Sequence, residues 1–167
     1  MIELRKLKLT DKKFIAELLN NKNVWNNLTD RIPFPYKESD AEEFIKLIER
    51  SRLNIAFAII YNEKFVGTIG LIKQKDVRRK SAELGYWIGE PFWNKGIATQ
   101  AVQLITEYGF NKLDIFRIFA SVYEYNVASM KVLKKNGFVK EGILRKSVFK
   151  NNKLCDEHIY GKLKDSL

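Results

Sequence analysis

The chain is poor in the residues that staple or ligate. It has one cysteine, Cys155, and one histidine, His158, in 167 residues. A lone thiol excludes an internal disulfide, and the pair leaves no Cys- or His-rich set, so no metal cofactor is expected. There are three prolines and no Gly/Pro/Ser-rich linker, repeat or low-complexity tract. Residues 1–167 therefore read as a single domain, long enough to bury a sizeable core. No apolar run approaches the roughly 18 residues of a membrane helix, so no membrane partner is expected. Residues 1–10 alternate charged with apolar side chains and lack the continuous apolar stretch of a secretory signal. These absences suit a reduced, cytoplasmic enzyme or binding module.

What the chain has in excess is positive charge. Thirty basic against twenty acidic residues give a formal charge of +10. Such a field attracts polyanions such as nucleic acid, the ribosome or a phosphorylated cofactor. The excess is uneven. Residues 131–153 hold eight cations (Lys131, Lys134, Lys135, Lys140, Arg145, Lys146, Lys150, Lys153) and one acid, Glu141. A solubilising surface accounts for the same pattern.

Apolar periodicity predicts a helix over 11–20, with Thr10 as N-cap and Phe14, Ile15, Leu18 and Leu19 as its inner face. Residues 21–36 read as irregular. A second helix begins near Ser39, with Glu42 completing a capping box and Phe44, Ile45, Leu47 and Ile48 facing inward. Strands follow at 55–61, 65–72 and 81–88. A helix over 99–111 has Ala101, Val102, Leu104, Ile105 and Tyr108 as its apolar positions. A short strand over 117–122, a helix over 128–135 ended by Asn136-Gly137, and strands over 138–144 and 154–163 complete the chain. The alternation after residue 80 predicts an α/β layer with some parallel pairing.

The segment Glu83-Leu-Gly-Tyr-Trp-Ile-Gly-Glu-Pro-Phe-Trp-Asn-Lys-Gly-Ile-Ala-Thr99 runs from strand through a short loop into a helix. Gly96 lets backbone approach a ligand. The free N–H groups of the first helical turn then face an anion, and the helix dipole favours it. The Lys-Ser/Thr of a P-loop and the full G-x-G-x-x-G spacing are both missing. A second stretch, Asn126-Val-Ala-Ser129 followed by Leu133-Lys-Lys-Asn-Gly-Phe138, completes the pattern.

Together these stretches resemble the GNAT acetyltransferases, most closely the RimJ/RimL-type (ribosomal-protein N-terminal acetyltransferase-like) branch. That superfamily's cradle is (Gln/Arg)-x-x-Gly-x-(Gly/Ala). Here it reads Trp93-Asn-Lys-Gly96-Ile-Ala98, with Trp93 in the Gln/Arg place. The closing Cys-Asp-Glu-His-Ile-Tyr strand also looks like that branch. The resemblance implies a mixed sheet of about six to seven strands flanked by helices. It implies acetyl-CoA as cosubstrate, bound by Asn94, Lys95, Gly96, Ile97, Ala98 and Thr99 around its pyrophosphate. Ile88 would hold the pantetheine arm and offer an N–H to the thioester oxygen, where an oxyanion develops. Asn126 would contact the cofactor's amide arm. Many members carry a tyrosine seven residues after this Asn as general acid; here that residue is Leu133, and Ser129 is the expected substitute. Glu83 holds the position of a base acting through water. His158 and Cys155 read as structural.

The resemblance also implies an amine acceptor. An α-amino group with pKa about 8 is free base in roughly one molecule in ten at pH 7; a lysine-like amine is free in about one in 2,500. Deprotonation costs about 1 kcal/mol for the first and about 4.6 for the second. A site with one base suits an α-amine, and hence a protein N-terminus, a ribosomal protein included. Trp25, Ile32, Phe34 and Tyr36 are candidate walls of the acceptor pocket. A polyamine or antibiotic acceptor, and a non-catalytic ribosome- or nucleic-acid-binding module, are the alternatives. Monomer and homodimer both fit.

Overall fold

The computed structural model describes residues 1–164. The alternation at the N-terminus, read above only as the lack of a leader, is a strand, β1 (Ile2–Lys6). It pairs antiparallel with β2 (Asn54–Tyr61), β2 with β3 (Lys64–Lys73), and β3 with β4 (Ser81–Ile88). β4 then meets β5 (Arg117–Tyr123) in parallel, over residues 81–83 against 117–119 and no further. β7 (Lys153–Leu163) lies antiparallel between β5 and β6 (Val139–Lys150). The result is one mixed seven-stranded sheet, β1-β2-β3-β4-β5-β7-β6. Five helices flank it: α1 (Lys12–Leu19), α2 (Lys22–Trp25), α3 (Glu38–Arg50), α4 (Ile97–Lys112) and α5 (Val127–Lys135).

Strand side chains alternate, so the sheet feeds a core on each face. On one face α4 and α5 bury Val102, Ile105 and Leu133 against Ile59, Leu84 and Ile118. On the other, α1, α2 and α3 bury Ile15, Val24 and Ile45 against Ala58, Ile60 and Phe65. Each such side chain contributes about 1.5–3 kcal/mol by leaving water.

Several local expectations are corrected. Thr10 caps nothing. Residues 9–11 form a 3₁₀ turn in which buried Asp11 accepts the Lys8 N–H at 2.8 Å and grips Arg5 at 2.7 and 2.8 Å. A carboxylate that must be buried needs such partners. The Ser39–Glu42 capping box is likewise replaced: α3 begins at Glu38, and Asp40 accepts the Lys37 N–H at 2.7 Å. Glu42 instead pairs with Lys12 at 2.8 Å and Lys46 at 2.7 Å. Phe14, Leu47 and Leu104, assigned to inner faces, are exposed. The irregular segment contains α2, capped by Asn21, whose Oδ1 accepts from Asn23 at 2.8 Å and Val24 at 3.3 Å. The strand expected over 138–144 runs on to Lys150 through two register irregularities. It turns at Asn151 and Asn152, both left-handed (φ 52° and 60°), the dihedrals a tight hairpin requires.

Candidate active site

The site begins where β4 and β5 stop pairing. Gly67 lies opposite Ile88, and the Gly89 N–H reaches the Val66 carbonyl at 2.8 Å. That pattern makes Gly67/Ile88 a non-hydrogen-bonded pair, so the N–H and C=O of Ile88 point away from β3, into the gap beside β4. The carbonyl is engaged: the Trp93 indole N–H donates to it at 2.7 Å. Trp93 thus ties the end of the strand to the loop that follows.

That loop has the dihedrals of an anion cradle. Asn94 and Gly96 are left-handed (φ 60° and 72°), with Lys95 between them. Such alternation turns successive N–H groups inward. α4 begins immediately after Gly96, and no side chain caps its first N–H groups. A Cβ built on Gly96 would meet nothing within 4 Å, so the space beside it is open to a ligand. The Lys95 ammonium points back, bonding the Pro91 carbonyl at 3.1 Å over the Phe92 ring. The 3₁₀ turn before the cradle is held to the α2 region by Glu90, which accepts from Asn21 and, at 2.8 Å, from Asn23.

α5 closes the other side. Asn126 is its N-cap, with Oδ1 accepting the Ser129 N–H at 3.2 Å. At its far end the Asn136 amide donates to the Thr99 carbonyl at 3.2 Å, fastening α5 to the first turn of α4. Between them the Ser129 hydroxyl meets the Tyr86 hydroxyl at 2.8 Å. Burial pushes the Tyr86 phenol up to about 12, the bond to Ser129 opposing. Leu133 is fully buried in the core.

These elements enclose a cleft of about 630 Å³. Ile88, residues 94–99, Asn126 and Ser129 all line it. Its charged lining residues are Lys95, Lys131 and Lys135, with no carboxylate among them. Uncapped N–H groups, left-handed turns and a cationic rim suit a diphosphate-bearing ligand. Sequence reasoning missed Tyr86, Val24, Asn27 and Leu28, which also line the cleft. Strand alternation from Leu84 to Ile88 was the signal available for Tyr86.

Glu83 stands elsewhere, on the opposite face of β4 from Tyr86. It is half-buried, and its carboxyl is held above the usual range by burial first and then by the charge of Glu157, with Arg31 opposing. The aromatic candidates do not line the cleft. Trp25 and Phe34 pack on each other at 5.4 Å between ring centroids. Trp25 donates its indole N–H to the Ile32 carbonyl at 2.8 Å, and the Lys150 ammonium sits 3.3 Å over its ring. Lys150 is itself buried and paired with Asp30 at 2.6 Å. Tyr36 is in the α1/α3 core, its N–H and C=O held by the Asn20 side chain at 2.7 and 2.6 Å. Cys155 is buried and its thiol is pushed up by that burial, the reverse of an activated nucleophile. Among the described residues no three His, Cys, Asp or Glu gather as a metal site, and no helix is long and apolar enough to cross a membrane.

Residues 2–139 match the acetyltransferase (GNAT) domain family, and the chain belongs to it. It is an N-acetyltransferase with acetyl-CoA as cosubstrate. Among its relatives, the uncharacterized N-acetyltransferase p20 of Bacillus licheniformis is 34% identical over 98% of this chain and 93% of that protein. The ribosomal-protein-serine acetyltransferase of Escherichia coli is 29% identical over 66% of this chain and 61% of its own length. The spermidine N(1)-acetyltransferase of the same organism is 27% identical over 90% and 79%. In structure, the microcin C7 self-immunity acetyltransferase MccE, solved with acetyl-CoA and AMP, superposes with TM-score 0.84 at 29% identity, covering 98% of this chain and 92% of that one.

Proposed function

We propose that this acetyltransferase acts on the α-amine of a protein or peptide N-terminus, ribosomal proteins included. The observation that carries the reading is the placement of Glu83. It is a half-buried carboxyl on the face of β4 opposite Tyr86, the partner of Ser129, and further along the same strand the Ile88 N–H is turned away from β3. In this reading acetyl-CoA lies in the cleft, its diphosphate on the N–H groups of residues 95–99 and its amide arm along Ile88 and Asn126. The amine approaches from the Glu83 face, near Trp25 and Phe34. Glu83 takes the amine proton through water, the Ile88 N–H meets the developing oxyanion, and Ser129 donates a hydrogen bond to the departing sulfur. One base with its pKa raised by burial suits an amine that costs about 1 kcal/mol to deprotonate. A single domain, monomeric or dimeric and working in the cytoplasm, goes with this reading.

A second acceptor class draws on a specific feature. Glu83 and Glu157 are close enough to repel. That local negative charge suits a small polyamine despite the net charge of +10. Coenzyme A release separates the two. Peptides with free N-termini are expected to turn over, and Nα-blocked lysine peptides and spermidine to lag. Turnover of spermidine alone overturns the α-amine reading. Absence of acetyl-CoA binding at millimolar concentration overturns the assignment of the cleft.

A further inference from the structure

Tyr86 comes from β4 and Ser129 from α5, 43 positions apart, and their hydroxyl oxygens lie 2.8 Å from each other. The Tyr86 oxygen makes a longer contact, 3.4 Å, to the Ser129 carbonyl. The direction of the short bond decides what Ser129 can do. A serine hydroxyl has one proton and two lone pairs. Spent on Tyr86, that proton is lost to any ligand in the cleft. The phenol, however, is the stronger acid and the better donor. Its other neighbour is a carbonyl, which only accepts. With the Tyr86 proton given to the nearer oxygen, at 2.8 Å rather than 3.4 Å, the proton of Ser129 is left to turn elsewhere. The Ser129 N–H is held at the same time by Asn126 at 3.2 Å, so backbone and side chain are both fixed.

We propose that Tyr86 is a positioning residue for acetyl transfer, donating to Ser129 so that the serine proton is aimed into the cleft. This rests on the reading of Ser129 as the donor to the leaving sulfur. Two roles were open to the phenol, a proton relay or an orienting bond, and acidity separates them. Burial pushes Tyr86 up to about 12. An ordinary thiol lies near ~8.5, so a departing thiolate does not strip such a phenol of its proton. As the C–S bond breaks, its electron pair goes to sulfur. The thiolate is stabilised by the Ser129 O–H and takes a proton from water after leaving, while Tyr86 keeps its own throughout.

The test is a double-mutant cycle in kcat, KM and acetyl-CoA Kd, using the peptide that turns over in the coenzyme A release assay. Tyr86→Phe is expected to lower kcat about 10-fold, with acetyl-CoA Kd within about two-fold of the parent. Ser129→Ala is expected to lose at least as much, and the double variant no more than Ser129→Ala alone. The pH profile of Tyr86→Phe should parallel that of the parent from pH 6 to 9, since the phenol removed titrates only at about 12. Parental kcat in Tyr86→Phe, or a double variant that loses the product of the two single effects, overturns the role of Tyr86. If Ser129→Ala keeps the parental kcat, the reading of Ser129 itself fails. A loss confined to acetyl-CoA affinity in Tyr86→Phe makes Tyr86 a cleft wall and overturns the proposal.

Discussion

Glu83 and Tyr86 stand three residues apart on β4 and face opposite sides of the sheet, one toward Glu157 and Arg31, the other onto Ser129. In the proposed reading the base and the hydroxyl that meets the departing sulfur thus lie on opposite faces of one strand. The variants below probe each side in turn.

Glu83→Gln should separate activity from stability. The folded pKa of Glu83 is raised, so its favourable contribution is present at low pH and is lost as pH rises through that value. Above it the buried, repelled carboxylate is a burden that Gln lacks. Glu83→Gln is expected to melt higher than the parent at pH 7, the difference shrinking as pH falls into the carboxylate range. It should also lose about 10²-fold in kcat/KM at low pH, recovering toward the pKa of the amine. Thermal melts and rate profiles over the same buffers check both.

Gly96→Val should weaken acetyl-CoA binding far more than Lys95→Ala. Gly96 is left-handed with open space where its Cβ would be, so a side chain strains the backbone and intrudes on the ligand. Alanine keeps the Lys95 N–H, and the ammonium it removes is turned toward Pro91. Calorimetry giving the two variants similar dissociation constants would contradict a backbone cradle.

Asp30→Ala should cost more stability than Lys150→Met. The first leaves a buried ammonium with the Trp25 ring in place of its 2.6 Å carboxylate, a loss of about 2 kcal/mol. The second removes the charge and keeps a chain of similar length on the ring. Urea midpoints at equal m-value give the order.

Leu133→Tyr should destabilise by about 1–3 kcal/mol without raising kcat. Leu133 is fully buried, so a phenol there overpacks the core unless α5 shifts. Denaturant melts with parallel rate measurements decide it, and a rise in kcat would show that the position still reaches the sulfur.

The lining of the cleft was legible because its signals are local. A glycine at a helix entry and an Asn three residues before a Ser state their geometry within a few positions, as Gly96 and Asn126 do. Tyr86 was not legible. Its role depends on which face of β4 meets α5, a contact between residues 43 positions apart. Trp25, Phe34 and Tyr36 show the same limit: aromatic character does not say which layer a ring joins, and Tyr36 went to the α1/α3 core. The caps at Thr10 and Ser39 were misplaced because the helical turns begin earlier, at Leu9 and Glu38, where Asp11 and Asp40 accept the Lys8 and Lys37 N–H groups. Charge-assisted bonds of that kind are stronger than hydroxyl ones.

Lys150 and Asp30 are 120 positions apart. A chain emerging from the ribosome at about 5–20 residues per second exposes Asp30 and the Trp25 ring on the order of ten seconds before their cation is made. The segment that carries them is synthesised well before the cation that pairs with it. That cation comes from the β6–β7 hairpin, so a nascent chain stalled before residue 150 would hold its cradle sequence in full and still lack the ammonium over the Trp25 ring.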